Sequence, residues 1–478
     1  MPDEGNRELG SLWPGLALAT LAALPFMVAA YPQLTDYPSH LARYYVMLEQ
    51  GHDAVLDAYY DFRWSLTGNL GADLLMWPLG TVFGVEAAAR WLGAAIAVLT
   101  GFGIVAVEWT LRRRVGVGSL LALATIWSPA MGMGFYNWCL ALALALLAFA
   151  LWVALEGRRR RWMLFVPAGV LVWLCHVSGW GVLGVLVFGY EWHRRRDRSA
   201  FVAPWPLYPP FLLLLASGAR GGLDWGSDVI RYKTGIWLKA LRDQSMQLDL
   251  LTLAVLVAAI AIALRARRID GRLGWAALIL AALTLVMPRH LGGGDFADWR
   301  LIAVALMMGC LAIDWRAPRW ILAAAAALFI VRIGVTSAAW HEQSRELEQA
   351  LAALDRIPRG ARVAGAVAIS TSRWGIEPLE HAPSYATVRR DALVNTHFAI
   401  PGIHMLVLRG GGFADPSQRI FYAPGEKIDL AAFEPAEGAD YLWYFGRVAP
   451  DRLPDHAQVL HRSRVSILAR LAKSPAAR

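Results

Sequence analysis

The chain has 478 residues, of which 57% are hydrophobic and only 17% are charged, and it contains 22 Trp. This composition excludes an ordinary soluble enzyme and predicts a mainly α-helical, polytopic membrane protein. The formal net charge of +9 does not indicate nucleic-acid binding, because most basic residues lie in short clusters between apolar runs, as they do in cytoplasmic loops. We therefore expect membrane lipids, and no nucleic acid, among its partners.

The first apolar run, residues 11–31, is predicted to be a retained membrane anchor, because no small-residue cleavage site follows it. The positive-inside rule then places five basic clusters in the cytoplasm. They are Arg112–Arg114, Arg158–Arg161, Arg194–Arg196, Arg265–Arg268, and Arg316 with Arg319. Between the first span and the first basic cluster, this assignment allows only one crossing of the membrane, at 87–111. The run 70–85 then becomes a juxtamembrane piece of a long outer loop, about residues 32–86.

The later apolar runs complete a predicted total of about eleven spans in the inner membrane. They are 119–135, 138–155, two short helices within 162–192 that turn at 175–179, 203–219, 248–264, 273–288, 299–313 and 320–339. The N-terminus is then cytoplasmic and the C-terminus periplasmic. The fourth outer loop, residues 220–247, begins with Arg220 and carries several cations that the rule disfavours on that side.

From His341 onward the chain is polar and long enough for a small domain of its own. A helical pattern at 342–357 stops at Pro358, and Gly and Pro then punctuate short strand-like runs. These runs are 362–369, 404–408, 441–445 and 465–471. We expect a transmembrane domain of residues 1–340 and a periplasmic α/β domain of residues 341–478, with a frayed tail after Lys473.

One polar stretch directly after the first apolar run stands out as a candidate site. Asp36, His40 and Arg43 are spaced i, i+4 and i+7, and they would share one face of a helix that begins near Pro38. A polar helix start that only anchors the chain at lipid headgroups would show the same pattern. We favour the reading in which Asp36 is a catalytic carboxylate that faces a lipid-linked substrate.

Other unusual polar residues map to the same predicted outer face. The substrate-binding candidates are His40, Arg43, Asn137, His176, Arg231, Lys233, Arg289, His290, Asp298 and Arg300. Ionisable groups at span ends are costly unless they bind something. A carboxylate can act as a general base on an acceptor, and cations can stabilise a departing phosphate. This combination is typical of sugar transfer from a polyprenyl phosphate.

Each candidate also has a structural alternative. His176 alone is more often a satisfied buried group than a ligand, and Asn137 could cap the next helix. Arg289 and Arg300 could anchor lipid headgroups. Arg332, inside the last span, is expected to have a structural pairing partner. Only the predicted location of all the candidates on one side of the membrane favours a functional role for them.

The long first outer loop that opens with Asp36 resembles the C-type (GT-C) membrane glycosyltransferases. This superfamily includes protein O-mannosyltransferases and the aminoarabinose transferases of lipid A. The resemblance extends to the short paired spans and the C-terminal domain. It implies a polyprenyl-linked donor, Asp36 as the catalytic acid, and His176 in place of a lysine near the phosphate. This chain has Tyr37 where many members have a glutamate, and Asn137 where a second acid often stands. No metal ligands are therefore predicted, and a divalent cation cofactor is left open.

Together these observations predict a glycosyltransferase that moves a hexosyl or pentosyl group from a polyprenyl-phosphate donor to an envelope glycan, lipid or protein at the periplasmic face. Arg300 or Arg289, rather than the lysines, is expected to hold the donor phosphate, because Arg presents a bidentate fork. One alternative is a flippase or transporter, which should carry internal repeats or broken spans in matching halves. Another is a non-catalytic partner in envelope assembly.

Overall fold

The computed structural model describes residues 4–217, 222–292, 294–399, 404–409 and 420–472. The predicted Arg220 and the tail after Lys473 lie outside these ranges. In the first half, the elements are α1 (Glu4–Thr20), α2 (Leu24–Val28), α3 (Tyr37–Glu49), α4 (Ala54–Tyr59), β1 (Tyr60–Phe62), α5 (Gly71–Phe83), α6 (Val85–Arg112), α7 (Val117–Leu123), α8 (Pro129–Gly132), α9 (Tyr136–Ala154), α10 (Trp162–Cys175), α11 (Val177–Arg195), α12 (Ser199–Val202) and α13 (Pro210–Ala216).

The second half contains the remaining helices and most of the strands. They are β2 (Leu223–Asp224), α14 (Val229–Leu238), α15 (Met246–Arg265), α16 (Gly271–Val286), β3 (His290–Leu291), α17 (Trp299–Leu311), α18 (Arg319–Leu351), β4 (Arg362–Ser370), α19 (Tyr385–Arg390), β5 (Leu393–Val394), β6 (Leu406–Leu408), β7 (Ile420–Ala423), β8 (Tyr441–Gly446), β9 (Ala457–Arg462) and β10 (Ser466–Leu471).

The chain divides into two compact units. The first, which we call the helical unit, comprises Met1–Pro25, Leu66–Ala72 and Leu92–Ser337, and the second, the sheet unit, comprises Phe26–Ser65, Asp73–Trp91 and Ala338–Arg478. The helix predicted at 342–357 is not a separate element, because α18 runs from the last predicted span to Leu351 without a break. No change of secondary structure therefore marks the predicted boundary at 340/341, which remains a prediction.

The helical unit is built around α17. Every residue from Leu301 to Leu311 is buried, and a helix that is apolar on all sides belongs in the centre of a bundle. Small residues let its neighbours approach closely. A Cβ on Gly189 of α11 would lie 2.8 Å from the backbone nitrogen of Ala276 in α16, and one on Gly179 would lie 2.4 Å from the Ala141 side chain of α9. These contacts fix α11, which begins directly after His176.

Within the described residues, four helices are long and apolar enough to cross a membrane: Val85–Arg112, Tyr136–Ala154, Met246–Arg265 and Arg319–Arg356. A fifth is counted if Ser199–Leu207 and Pro210–Ala216, bent by 66°, form one span. Shorter apolar helices are Leu12–Val28, Trp162–Cys175, Gly271–Val286 and Trp299–Leu311. These helices fit the predicted membrane protein, while the eleven spans and their sides remain predictions.

Two predicted spans are not continuous helices. The run 119–135 is broken because Pro129 excludes helical backbone at Ser128, which is extended at φ −104°, ψ 171°. Only the one-turn helix α8 follows. The run 203–219 is bent by 66° between Leu207 and Pro210, and its last two residues lie outside the described ranges. By contrast, the predicted break within 175–179 is confirmed, since the extended residue His176 separates α10 from α11.

The sheet unit contains a six-stranded mixed sheet in the order β5-β4-β8-β10-β9, with β7 also paired to β4. β4 pairs in parallel with β5, β7 and β8, and most of its residues are buried, as expected for a central parallel strand. The runs predicted at 362–369, 441–445 and 465–471 are confirmed as strands of this sheet. The run at 404–408 gives β6, which pairs with β1 of the first loop.

Candidate active site

Asp36 lies in the sheet unit, immediately before α3. The helix begins at Tyr37 with Pro38 in its first turn, so the predicted helix start is confirmed. Asp36 occupies the N-cap position, yet its side chain makes no capping hydrogen bond. The residue is 7% exposed. Its Oδ1 lies 3.9 Å from Nε2 of His381, a contact that the sequence did not predict.

His381 is held in one orientation by the backbone. Its Nδ1 lies 2.8 Å from the carbonyl oxygen of Thr396, and a carbonyl can only accept, so Nδ1 carries the ring hydrogen. Burial lowers the pKa of His381 to about 4, so the ring is neutral near pH 7. In this tautomer Nε2 has a lone pair and faces Asp36.

A cluster of histidines surrounds Phe398 in the same unit. Its ring centroid lies 4.6 Å from that of His381, 5.5 Å from that of His40 and 5.6 Å from that of His404. Burial, and then the charge of Arg43, lowers the pKa of His40, whose buried Nδ1 has no hydrogen-bond partner among the described residues. His40 is thus surrounded by aromatic rings, with the Arg43 charge nearby. No local spacing could have revealed this cluster, because its members come from distant parts of the chain.

Arg43, a predicted binding residue, is instead part of a buried ion pair. Its Nη2 lies 3.0 Å from Oδ1 of Asp73, and the two residues are 4% and 0% exposed. Removing one partner of such a pair typically costs about 3–5 kcal/mol, because the other charge is left without compensation. These contacts favour a structural role for Arg43.

In the helical unit, His176 and Arg300 are in contact. Nδ1 of His176 accepts a hydrogen bond from the backbone N–H of Ser178 at 3.1 Å, at the start of α11, and Nη1 of Arg300 lies 3.0 Å from Nε2 of His176. In a neutral ring with a bare Nδ1, Nε2 carries hydrogen, and so does every guanidinium nitrogen. Two donors then meet, and an acceptor oxygen placed against both would satisfy them.

Arg300 also contacts a backbone carbonyl and an aromatic ring. Its Nη2 donates to the carbonyl oxygen of Asp295 at 3.0 Å, and its Cζ lies 4.1 Å from the ring centroid of Phe135. A guanidinium is positively charged at any physiological pH, so a phosphate oxygen placed beside it would accept a charge-assisted hydrogen bond.

Lys233 and Asp298, also predicted binding residues, satisfy each other. Lys233 Nζ donates to Asp298 Oδ2 at 2.6 Å and to the carbonyl oxygens of Thr284 and Met287 at 2.8 and 2.6 Å. An ammonium group has three hydrogens, and these three acceptors account for all of them. Asp298 is fully buried and also accepts from the Tyr232 hydroxyl at 3.1 Å. The contacts favour a structural role for the pair.

Arg289 and His290 converge on Asp295. Arg289 forms a bidentate pair with this carboxylate at 2.9 and 3.0 Å, and His290 Nε2 lies 3.2 Å from Oδ1. The Arg289 fork is therefore already occupied by a carboxylate. An open cavity of about 280 Å³ adjoins it. The cavity is lined by Gly226, Ser227, Asp228, the exposed Arg231, Tyr232 and Arg289.

Two further residues have structural contacts. Asn137 Oδ1 accepts from the backbone N–H of Ala72 at 2.5 Å, and its Nδ2 donates to the Asn69 carbonyl at 2.9 Å. It therefore ties α9 to the start of α5. The structural partner expected for Arg332 is confirmed, since its Nη1 lies 2.7 Å from Oδ1 of Asp249 and both residues are buried.

Among the described residues, no three His, Cys, Asp or Glu side chains are arranged to hold a metal ion. The structure thus brings His176 to Arg300, Arg289 to His290, and Lys233 to Asp298. It places Asp36 with His381 in the sheet unit. Sequence reasoning missed His381 because nothing in its local sequence distinguishes it from the other buried histidines.

The chain was compared with known proteins. No protein-family model and no curated protein matches it. Among solved structures, it is similar to ArnT from Cupriavidus metallidurans bound to undecaprenyl phosphate, with 13% identity, a TM-score of 0.53, and coverage of 96% of this chain and 97% of that one. The apo state of the same protein gives 14% identity and a TM-score of 0.55 at the same coverage.

A third similar structure is the arabinofuranosyltransferase AftD from Mycobacteria, with 16% identity and a TM-score of 0.44. It covers 97% of this chain and 42% of that one, and this similarity is too low for further comparison. The likeness to ArnT extends over nearly the whole of both chains. The resemblance to aminoarabinose-transferase-like GT-C proteins, predicted from the sequence, is thereby confirmed at the level of the fold.

Proposed function

We propose that the protein is a membrane glycosyltransferase that transfers a sugar from a polyprenyl-phosphate donor to an acceptor in the cell envelope. The observation that carries this proposal is the fold likeness, over 96% of the chain, to ArnT bound to undecaprenyl phosphate. A fold alone does not fix a function, so the assignment depends on residues that can perform the chemistry. The hexosyl or pentosyl group and the acceptor are left open.

Asp36 is proposed as the general base. It takes the proton from a hydroxyl or amine of the acceptor while that atom attacks the anomeric carbon of the sugar. The bond between the anomeric carbon and the phosphate oxygen breaks, and the lipid phosphate leaves with the electron pair. The resemblance to GT-C enzymes implies inversion at the anomeric carbon. Near-complete burial of Asp36 supports this role, because an acceptor atom there would be shielded from competing water.

Arg300 and His176 are proposed as the donors that stabilise the departing phosphate. Their facing donor nitrogens, 3.0 Å apart, support this role, because one phosphate oxygen can accept from both. Arg289 is the weaker candidate, since Asp295 occupies its fork. Lys233 is an even weaker candidate for binding the phosphate, because three protein acceptors already bind the hydrogens of its ammonium group.

The proposal is tested by comparing envelope glycolipids and surface glycans of a deletion strain with those of its parent. We expect one glycoconjugate to lose a sugar and the corresponding polyprenyl-phosphate sugar to accumulate. Complementation should restore the sugar with the parental gene and fail with Asp36→Asn. Unchanged glycoconjugates in the deletion strain, together with no transfer by the purified protein, would contradict the proposal.

The reaction is proposed to take place at the periplasmic face of the inner membrane, with a cytoplasmic N-terminus and a periplasmic C-terminal domain. Cysteine labelling can test this topology, since Cys139, Cys175 and Cys310 are buried and give little background. An impermeant reagent should label the exposed position 65 in intact spheroplasts as Ser65→Cys. It should label Arg159→Cys only after lysis. The reverse pattern would contradict the assigned sides.

A further inference from the structure

The contact between His381 and Asp36 is well defined on the histidine side. The Thr396 carbonyl fixes the ring hydrogen on Nδ1 at 2.8 Å, so Nε2 of the neutral ring can only accept a hydrogen bond. This nitrogen lies 3.9 Å from Oδ1 of Asp36. The two side chains are 6% and 10% exposed, so solvent screens their interaction little.

Contacts of neighbouring residues also fix the positions of Asp36 and His381. The hydroxyl of Thr35, adjacent to Asp36, donates to the carbonyl oxygen of Glu377 at 2.8 Å. This bond ties the loop before α3 to the segment that carries His381. On the other side, Phe398 packs against the His381 ring, with centroids 4.6 Å apart, and its backbone N–H donates to the Ser39 hydroxyl at 3.1 Å. The distance between Asp36 and His381 is thus set by several independent contacts.

An ionised carboxylate and a bare imidazole nitrogen do not bond to each other, because both are acceptors. The situation changes when the carboxylate gains a proton, since the new O–H can donate to Nε2 after a closure of roughly 1 Å to hydrogen-bond distance. The bond would form as the reaction proceeds and would be absent before it. Such an interaction stabilises the transition state more than the ground state.

We propose that His381 is a positioning residue for Asp36, whose bare Nε2 accepts a hydrogen bond from the Asp36 carboxyl group once that group has taken the proton of the sugar acceptor. This inference rests on the proposed function, in which Asp36 is the base. The acceptor's O–H or N–H bond breaks and an O–H bond forms on Asp36. The electron pair released at the acceptor atom forms the new bond to the anomeric carbon, and the lipid phosphate carries away the other pair. His381 keeps its own proton on Nδ1 throughout.

The rival reading is that His381 merely supports the Thr396 carbonyl. Two substitutions separate these readings, because the amide nitrogen of Asn can replace Nδ1, whereas the longer Gln places its amide oxygen near the position of Nε2. His381→Asn therefore keeps the bond to Thr396 and loses the acceptor for Asp36. His381→Gln does the opposite.

The experiment measures kcat and KM for the purified full chain with a polyprenyl-phosphate sugar, for both His381 variants and for Asp36→Asn. We expect His381→Asn to lower kcat by about 10–100-fold with little change in KM, and His381→Gln to stay within about 3-fold of the parent. The double variant of Asp36→Asn with His381→Asn should be no slower than Asp36→Asn alone, because the two residues act on one proton.

His397 provides the matched control. It is buried in the same unit, but both ring nitrogens bind protein hydroxyls: Nε2 those of Tyr60 and Thr387, at 3.1 and 2.9 Å, and Nδ1 that of Ser384, at 3.3 Å. His397→Asn and His397→Gln should lower thermal stability without separating in kcat.

The outcomes are distinguishable. Parental turnover in His381→Asn, or a loss in Gln that exceeds the loss in Asn, overturns the inference while leaving Asp36 as the base. Substantial turnover in Asp36→Asn removes the proposed base itself. If His381→Asn does not fold, His381→Gln decides alone, since a loss of more than 10-fold in a folded protein contradicts the inference.

Discussion

Two buried aspartates, Asp298 in the helical unit and Asp36 in the sheet unit, occupy the same position relative to a helix. Each is the N-cap residue of its helix, α17 and α3 respectively. Asp298 accepts hydrogen bonds from the backbone N–H of Trp299 at 2.8 Å and from the Tyr232 hydroxyl, and it pairs with Lys233. Asp36 makes no capping bond, and a neutral imidazole nitrogen faces it at 3.9 Å.

The two carboxylates differ in how readily each can take a proton from a substrate. The oxygens of a carboxylate that caps its helix and pairs with an ammonium group are already bound to protein donors, which leaves little room for a substrate proton. A carboxylate that faces a histidine lone pair gains a partner when it is protonated. The same sequence feature, an acid at the start of a helix beside an apolar run, thus gives a structural residue in one place and a candidate base in the other.

The largest effect is expected from substituting Asp36, the proposed base. Asp36→Asn should lower sugar transfer by about 1,000-fold or more, because the amide has no lone pair basic enough to take the proton. The folded structure should be retained, because asparagine has nearly the same size and shape as aspartate. Single-turnover transfer and thermal unfolding in detergent measure the two quantities. Parental transfer by this variant would show that Asp36 is not the base.

The second prediction concerns Asp298, the aspartate with a structural role. Asp298→Asn should destabilise the protein by about 3–5 kcal/mol, because it leaves the Lys233 ammonium group buried without a counter-charge. Thermal unfolding should occur at a clearly lower temperature, while turnover per folded molecule should change far less than in Asp36→Asn. Combining Asp298→Asn with Lys233→Met should recover part of the loss. A stable Asp298→Asn protein with abolished transfer would instead assign Asp298 to the reaction.

Local sequence patterns correctly predicted the parts of the fold that depend on local chemistry. Pro38 marked the start of α3, and the polar turn at His176 marked the break between α10 and α11. The break at Pro129 also has a local signal, since the residue before a proline disfavours helical backbone, but the apolar run 119–135 alone predicts a continuous span. The partners of buried charges were not readable, because Lys233 meets Asp298 and His381 meets Asp36 only through tertiary packing. The predicted membrane side of a charged residue therefore could not distinguish structural residues from candidate reactive ones.

The third prediction applies the comparison to the two arginines. Arg300→Lys should lower kcat by about 10–100-fold, because a lysine cannot present the fork that binds a phosphate oxygen beside His176. Arg289→Lys should have a smaller effect on turnover, since the Arg289 fork is already bound to Asp295. If both variants transfer sugar at the parental rate, positive charge alone suffices, and headgroup anchoring explains these residues.

The smallest expected effect concerns the neutral histidines of the sheet unit. Burial lowers the pKa of His381 and of His404 to about 4, and that of His397 to about 3, whereas unfolded histidine titrates near 6.5. Below pH 6.5 the unfolded chain binds protons that the folded chain does not. The stability that these neutral rings contribute is therefore complete above about pH 6.5 and is lost as the pH falls toward 4, at up to about 1.4 kcal/mol per pH unit for each histidine.

Hydrogen exchange in β4 and β8 of the full-length protein, corrected for the intrinsic effect of pH, measures this loss within the sheet unit. Protection should decrease between pH 6.5 and 4.5. His40 is a fourth ring of the sheet unit whose pKa is lowered by burial. In His397→Phe, one of these four titrating rings is absent, so the slope that the histidines contribute should fall by roughly a quarter, although the loss of its hydrogen bonds lowers stability at every pH.

Burial raises the pKa of Glu380 to about 7 and also raises that of Glu377, so these two carboxyl groups oppose the trend, but the four histidines outnumber them. A flat profile, or protection that rises as the pH falls, would therefore mean that rings of this set are charged in the folded protein. A charged His381 would have no lone pair to offer to Asp36. Asp36 would then face a cation, as Asp298 does, and the two aspartates would no longer differ in this respect.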